Sequence, residues 1–256
     1  MTFIDLLETL RACFEPVRVE NYPEEFGHTA HSTAEIRRVG YATNLDPLTV
    51  AAAAEADTDA LITHHDAWDF LFELREEAYA LLEKASISHC FVHLPLDAAP
   101  FGTSAALGER IGLEMGSASF AEEDGFLCGR VGTFATPVPL GNVAARLREV
   151  TAAGVRVWPY GPEKLSVVGI TTGGGSLSNL VREAIDLGCD TYITGESNVY
   201  VVQYARNRGI NLVVGTHTHT EFPGVESLCG LLAARTGLEF VPIREADFET
   251  GSQETT

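Results

Sequence analysis

Two stretches of similar sequence decide the fold. The first is Asp59–His65, which reads DALITHH, and the second is Asp190–Glu196, which reads DTYITGE. Each begins with an acid and continues through apolar and β-branched residues, the pattern of a short buried strand, before it ends in polar side chains. Each is preceded by a stretch with helical periodicity, and each is followed by a second helix and another strand. The two stretches therefore mark equivalent points in two similar segments.

The strand that follows each stretch ends in a similar way. The first is followed by His93–Asp97, which reads HLPLD, and the second by His217–Glu221, which reads HTHTE. Both have the form His-x-x-x-carboxylate. Because the two matches occur in the same order along the chain, they predict a duplicated βαβ unit.

The alternation of strands and helices predicts an α/β fold with largely parallel strands. We expect two related α/β halves packed face to face, with a metal site between them. The first half, with an N-terminal helix, would cover residues 1–115 and the second residues 116–256, as a single compact unit without an inserted domain. Residues 17–34 are expected to be irregular, residues 69–84 helical, and a late helix is expected at 225–236.

Composition excludes several classes of protein. The 256 residues include 36 acidic and 17 basic side chains, a formal net charge of −19, which argues against binding a nucleic-acid backbone. The acidity fits either a solubility-promoting surface field or adaptation to high salt. No stretch reaches the roughly 18 apolar residues of a membrane span, and the N-terminus lacks the features of a signal peptide. The five cysteines lie in apolar runs, as buried thiols do, so we expect a cytoplasmic protein.

Histidines and carboxylates follow the ends of the predicted strands, which is where open α/β sheets bind their ligands. Imidazole and carboxylate together suit Zn, Fe, Mn, Co or Ni. If the chain turns after the strand, the adjacent rings of His64 and His65 can reach two ions a few ångströms apart, and a carboxylate can bridge them. The sequence thus predicts two divalent ions per chain. The predicted ligands are His64, His65, Asp97, His217 and Glu221.

Other histidines and one glycine turn admit more than one interpretation. His28, His31 and His89 are expected to be ordinary hydrogen-bonded residues, while His219 could replace His217 or line the substrate side. The turn at Gly173–Ser176 could bind phosphate at a helix N-terminus, or its glycines could allow close packing.

Four segments resemble a known family, the dinuclear-metal-centre proteins often named GTP cyclohydrolase 1 type 2 homologues. The segments are Ile62–His65, His93–Asp97, Tyr192–Glu196 and His217–Glu221. The resemblance implies that the five residues above are the ligands, with Glu221 as a bridge. It also implies a toroidal homohexamer, a trimer of dimers. The sequence departs from the family pattern at residues 20–34 and after His65, so the metal site transfers better than the substrate.

The leading functional hypothesis is a metal-dependent hydrolase of a nucleotide or related heterocycle, with GTP ring opening as the named candidate. Glu221 and Glu196 are the candidate catalytic residues, and Glu196 could orient a water or a ligand histidine. One alternative is a metal-dependent phosphoesterase, because two-metal sites also suit phosphate oxygens. The other is a non-enzymatic metal-binding or regulatory assembly protein. Product analysis and metal exchange distinguish the three.

Overall fold

The computed structural model describes residues 1–20, 22–31 and 35–250, which fold as two compact units. Unit 1 consists of Met1–Leu96 and Val225–Glu245, and unit 2 of Asp97–Gly224 and Ala246–Thr256. This division differs from the sequence-based one at residue 115, because residues 97–115 belong to unit 2 and the chain returns to unit 1 after residue 224.

The described residues form ten helices and eleven strands. The helices are α1 Phe3–Arg11, α2 Pro16–Glu20, α3 Pro47–Glu55, α4 Leu74–Ala85, α5 Leu94–Asp97, α6 Thr103–Arg110, α7 Leu140–Thr151, α8 Ser178–Asp186, α9 Val199–Arg208 and α10 His217–Thr236. The strands are β1 Phe26–Thr29, β2 Arg38–Ala42, β3 Ala60–Thr63, β4 Ser88–Val92, β5 Glu114–Glu123, β6 Phe126–Pro139, β7 Arg156–Trp158, β8 Lys164–Thr171, β9 Thr191–Thr194, β10 Asn211–Val214 and β11 Glu239–Pro242.

Unit 1 contains a five-stranded sheet in the order β1-β4-β3-β2-β11. Strands β2, β3 and β4 are parallel to one another, β11 is parallel to β2, and β1 is antiparallel to β4. The crossover helix α3 begins as its sequence predicts: Asp46 is the N-cap, its carboxylate accepts a hydrogen bond from Thr49 N at 2.7 Å, and Pro47 follows. Leu61 of β3, Val50 of α3 and Leu82 of α4 belong to one buried core.

Unit 2 contains a six-stranded sheet in the order β5-β6-β8-β9-β10-β7. Its central strands β8, β9 and β10 are parallel, and both faces are covered. Tyr192 and Leu212 belong to one buried cluster, whereas Ile193 and Val213 belong to the other. Successive side chains of a strand point to opposite faces, so each strand contributes to both clusters. Burial on both faces explains why β9 and β10 are so uniformly apolar.

The two sheets share one topological pattern. In unit 1 the chain runs β2-α3-β3-α4-β4, and in unit 2 it runs β8-α8-β9-α9-β10, with the three strands adjacent and in order each time. A further antiparallel strand lies beyond the third, β1 in one case and β7 in the other. The α/β class and its two related halves are therefore confirmed.

Three local predictions differ from the structure. β1 lies in the stretch expected to be irregular, and α4 begins at Leu74 rather than residue 69, because Glu73 adopts a left-handed conformation with φ of 67°. Helix α10 begins at His217, eight residues earlier than predicted. Its cap is Thr216, whose hydroxyl accepts a hydrogen bond from His219 N at 3.3 Å. Pro223 lies inside α10.

No helix within residues 1–20, 22–31 and 35–250 is long and apolar enough to cross a membrane.

Candidate metal centre

Three histidines of unit 1, His64, His65 and His93, form what we call the histidine group. His64 and His65 directly follow β3, and His93 follows the neighbouring parallel strand β4, so the ends of adjacent strands bring the rings together. Their ring centroids are 4.5 to 5.1 Å apart. Each ring offers a nitrogen within 4.8 Å of the other two, a spacing that could hold a metal ion.

Each ring of the histidine group has its Nδ1 directed at an acceptor. His64 Nδ1 donates to the main-chain oxygen of Val92 at 2.9 Å, and His93 Nδ1 donates to the Glu25 carboxylate at 2.6 Å. A carbonyl or carboxylate oxygen accepts but cannot donate, so the proton of the neutral ring lies on Nδ1. The lone pair is then on Nε2, the nitrogen that would bind a cation. This geometry fits a metal.

His65 is oriented through a longer chain of contacts. Its Nδ1 donates to Asn44 Oδ1 at 2.8 Å, and Asn44 Nδ2 donates to Glu245 Oε1 at 2.6 Å. Glu245 also accepts the main-chain N–H groups of Thr43 and Asn44. Because its amide nitrogen is engaged by Glu245, Asn44 must present its oxygen to His65. Burial raises the pKa of Glu245 to about 7, although the hydrogen bonds from Asn44 and Thr43 oppose this rise.

Four residues of unit 2, Asp97, Glu196, His217 and Glu221, form what we call the acid–histidine group. His217 and Glu221 are one turn apart at the start of α10, with His217 Nε2 and Glu221 Oε1 separated by 3.2 Å. The His-x-x-x-Glu spacing thus places both side chains on one face of a helix, where the sequence had suggested a strand end. Asp97 and Glu221 each offer an oxygen, and these lie within 4.8 Å of each other.

Glu196 follows β9 and contacts the other ring nitrogen of His217. His217 Nδ1 donates to Glu196 Oε1 at 2.7 Å. In the alignment of the two repeats, Glu196 occupies the place of His65, so the second half supplies a carboxylate where the first supplies an imidazole. Glu249 accepts the main-chain N–H groups of His217 at 2.6 Å and Thr218 at 2.9 Å. A negative charge at this position stabilises the N-terminus of α10.

Two acids control the protonation of His217. Burial alone would lower its pKa, but the charge of Glu221 and the hydrogen bond to Glu196 raise it to about 11. Because the folded-state pKa lies above that of an unfolded histidine, the protonated ring stabilises the metal-free fold fully below pH ~6.5. That contribution is lost as the pH rises through about 11.

A cation that binds His217 must displace this proton. We therefore expect Zn²⁺ binding to the metal-free protein at about pH 7.5 to release about one proton from His217, and affinity to rise with pH. Calorimetry in two buffers with different ionisation enthalpies measures the release. In Glu196→Gln the pKa of His217 drops, so the release should decline at a lower pH than in wild type; identical pH profiles of the release in the two proteins would contradict the assignment.

Asp97 and the glycine turn belong to the same unit. Asp97 Oδ1 accepts from Thr103 Oγ1 at 2.5 Å, and Thr172 Oγ1 donates to Thr103 at 2.8 Å, so hydroxyls fix the buried carboxylate. In the turn, Gly173 has φ of +62°, and a Cβ there would lie 2.8 Å from Glu221 Cδ. Its N–H donates to Thr220 Oγ1 at 3.1 Å. Close packing, one of the two interpretations of this turn, therefore accounts for Gly173.

Three other histidines, His28, His89 and His219, have separate environments. His89 is buried, its Nε2 lies 2.8 Å from Thr63 Oγ1, and burial lowers its pKa to about 3. His28 is an exposed residue of β1. His219 Nδ1 lies 2.8 Å from Thr216 Oγ1, next to the cap of α10.

Sequence reasoning missed the partners that orient the rings. Asn44 and Glu245 follow the ends of β2 and β11, which are parallel neighbours, so the strand-end rule that identified His64 would have indicated both. Glu25 carried no such signal, because it precedes a short strand that the sequence did not reveal. His93 was noted at a strand end but was left out of the predicted ligands.

Comparisons with known proteins give related chains over nearly the full length. The chain is 29% identical over 252 residues to a GTP cyclohydrolase 1 type 2 homolog from Deinococcus radiodurans, covering 95% of this chain and 93% of the relative. A protein of the same name from Archaeoglobus fulgidus is 26% identical over 245 residues, covering 93% and 97%. The crystal structure of TTHA1606 from Thermus thermophilus matches with a TM-score of 0.79 at 27% identity, covering 97% of this chain and 100% of that one.

The resemblance noted in the sequence is thereby confirmed. Since the sequence profile of one family matches residues 1–247, the chain belongs to Duf34/NIF3 (NGG1p interacting factor 3).

Proposed function

We propose that the protein binds two divalent metal ions per chain and is a metal-dependent hydrolase of a nucleotide or related heterocycle. GTP ring opening is the first reaction to test, because relatives carry the name GTP cyclohydrolase 1 type 2 homolog. The proposed ligands are His64, His65, Asp97, His217 and Glu221. Zn, Fe, Mn, Co and Ni suit this set of nitrogen and oxygen donors.

The observation that carries the proposal is the fixed orientation of the imidazoles. His64, His65 and His217 each direct Nδ1 at an oxygen acceptor that is itself held by the fold. Metal-binding histidines characteristically have such a partner, which sets the tautomer and the ring orientation. Ordinary core histidines need only one satisfied hydrogen bond and no fixed acceptor for Nδ1.

Divalent ions in such a site would supply Lewis-acid activation of water and stabilise the charge that develops on the substrate. The chain's own residues have distinct parts in this. Glu221 is 3% exposed and lies near both Asp97 and His217, a position that suits a bridging carboxylate. Glu196 holds the proton on Nδ1 of His217 and is half-buried, so it can also accept a proton from a nearby water.

The test compares metal-loaded wild-type protein with Glu221→Gln. We expect wild-type protein to convert GTP to a ring-opened product, with or without release of formate, and Glu221→Gln to lose activity by at least about 100-fold. Chromatography with mass detection identifies the product, and elemental analysis counts the ions. Glu239→Gln, which changes an exposed carboxylate on β11, is the matched control.

The other outcomes separate the alternatives. Release of phosphate or pyrophosphate from an intact purine would identify a phosphoesterase and reject the ring-opening reaction. Full metal content without turnover of GTP or related nucleotides would reject the hydrolase and leave a metal-binding or assembly protein.

We also propose that the chain forms a homohexamer, a trimer of dimers. The segment of residues 71–74 exposes three large apolar side chains, Leu71 at 39%, Phe72 at 92% and Leu74 at 41%, and an apolar stretch of this kind is what a partner chain can cover. Light scattering should give six times the 27.6 kDa of one chain; a monomeric mass would reject the assembly.

A further inference from the structure

A cleft in unit 1 opens beside the histidine group. Its volume is about 570 Å³, within the range of small-molecule sites, and His65 and His93 form part of its wall. The other walls come from the start of β1 and from the segment that follows His65. That segment is where the sequence departs from the family pattern, so the cleft is a feature of this chain to be explained from its own residues.

Aromatic rings form one side of the cleft. Trp68 is half-buried, and its ring lies 5.2 Å from the ring of His65. Phe70 stacks on Trp68 at 6.0 Å with an interplanar angle of 14°, which supports the indole. Such a supported, partly exposed ring is a platform on which another flat ring can stack.

Acidic side chains also line the cleft and give it a negative charge. Glu24, Asp66 and Asp69 line it, and among the side chains that the structure describes, Arg75 is the one lysine or arginine in the lining. Arg75 lies 3.5 Å from Asp66, so its charge is already paired. In the metal-free protein, repulsion from the two remaining carboxylates makes the cleft unfavourable for a phosphate group and favourable for N–H donors.

Asp66 is held in place by its neighbours. Tyr79 Oη donates to it at 2.7 Å, and the N–H of Ala67 donates at 2.8 Å. Burial and the hydrogen bond to Asp66 raise the pKa of Tyr79 to about 12, so the phenol stays a donor at neutral pH. The wall formed by Asp66, Arg75 and Tyr79 is thus internally satisfied, and Asp69 is the exposed carboxylate next to the Trp68 platform.

We propose that this cleft binds a planar nitrogen heterocycle, stacked on Trp68 and donating N–H groups to Asp69, with any phosphate directed away from the cleft. The proposal rests on the proposed function, because it assigns the part of the substrate that lies against His65 and His93. Guanine is the nucleobase that presents two adjacent N–H donors to one carboxylate, so guanosine, which has no phosphate, is the appropriate probe.

The test uses the metal-free full chain, so that binding is separated from turnover. Calorimetry should show guanosine binding and no binding of inorganic triphosphate. Trp68→Ala should weaken guanosine binding by about tenfold, the usual effect of losing one stacking partner. Asp69→Asn should weaken it by about fivefold or more through loss of a charged acceptor. Trp68→Phe, which keeps a ring, should stay within about threefold of wild type.

Two control variants and a fluorescence measurement test whether guanosine binds at Trp68. Tyr200→Ala removes an exposed aromatic ring of α9 and Asp186→Asn an exposed carboxylate of α8, and neither should change binding. The chain has two tryptophans, so Trp158→Phe makes Trp68 the sole indole, whose fluorescence guanosine should quench.

Wild-type affinity in a folded Trp68→Ala protein, no guanosine binding, or tighter binding of triphosphate would overturn the proposal. Turnover by metal-loaded protein with Trp68-independent binding would reject the cleft and retain the hydrolase. Guanosine binding that depends on Trp68, without any turnover, would retain the cleft and reject the hydrolase.

Discussion

His64→Ala should lose its metal, with an affinity for Zn²⁺ at least about 100-fold below that of wild type. Loss of an outer hydrogen-bond partner already costs about 10- to 100-fold, and loss of the ligand itself should cost more. His64 is fully buried and directs Nδ1 at Val92, so its Nε2 cannot be replaced by a small movement of the chain. Elemental analysis after dialysis measures the retained metal.

His28→Ala is the matched control for this change. His28 lies on β1 of the same sheet, and its side chain is exposed, so its loss should leave the metal content unchanged. Because His64→Ala also removes a buried hydrogen bond, circular dichroism must show that the variant is folded, and His64→Asn provides a polar substitute. Full metal retention in a folded His64 variant would remove His64 from the site.

Gly173→Ala should destabilise the protein by about 2–3 kcal/mol and weaken metal binding. A left-handed conformation costs an alanine about 1 kcal/mol. The added Cβ would in addition lie 2.8 Å from Glu221 Cδ and 2.9 Å from His217 Nε2, so both side chains must move. Urea denaturation measures the free energy of unfolding, and calorimetry measures the affinity for Zn²⁺.

Gly188→Ala is the control that separates the conformational cost of an alanine at positive φ from the steric contact that the new Cβ makes in Gly173→Ala. Gly188 has φ of +83°, and a Cβ there would meet no heavy atom of the described residues within 4 Å. The free energy of unfolding of Gly188→Ala should therefore fall by about 1 kcal/mol, without a change in metal affinity. Equal effects of the two substitutions on stability and metal affinity would show that Gly173 is needed only for the backbone conformation of the turn.

Local sequence rules predicted the elements that carry the histidine and acid–histidine groups. The strands β3, β4, β9 and β10 are short apolar runs that end in polar residues, and their repetition revealed the two halves. Spacing alone also paired His217 with Glu221, although it did not show that a helix holds them. The cap at Thr216 and the acid at Glu249 start that helix, and Glu249 is distant in sequence.

Contacts between segments far apart in sequence explain what could not be predicted. Glu25 meets His93 across 68 residues, and Glu245 meets Asn44 across 201 residues. The strand-end rule indicates Asn44 and Glu245 individually, but neither pairing can be predicted from one segment, because each depends on which strands become neighbours in the sheet. Strand β1 was missed for a related reason: four residues without apolar alternation form a strand only because β4 offers an edge.

The three rings of the histidine group have different acceptors, a backbone carbonyl for His64, an amide oxygen for His65 and a carboxylate for His93. An acceptor that carries a full negative charge pushes electron density through the imidazole, whereas a neutral dipole does so more weakly. Three rings of the same constitution are therefore graded in Lewis basicity, with His93 the strongest donor. His93 lies outside the five proposed ligands, so a cation held by His64 and His65 would gain its strongest imidazole donor if His93 also bound it.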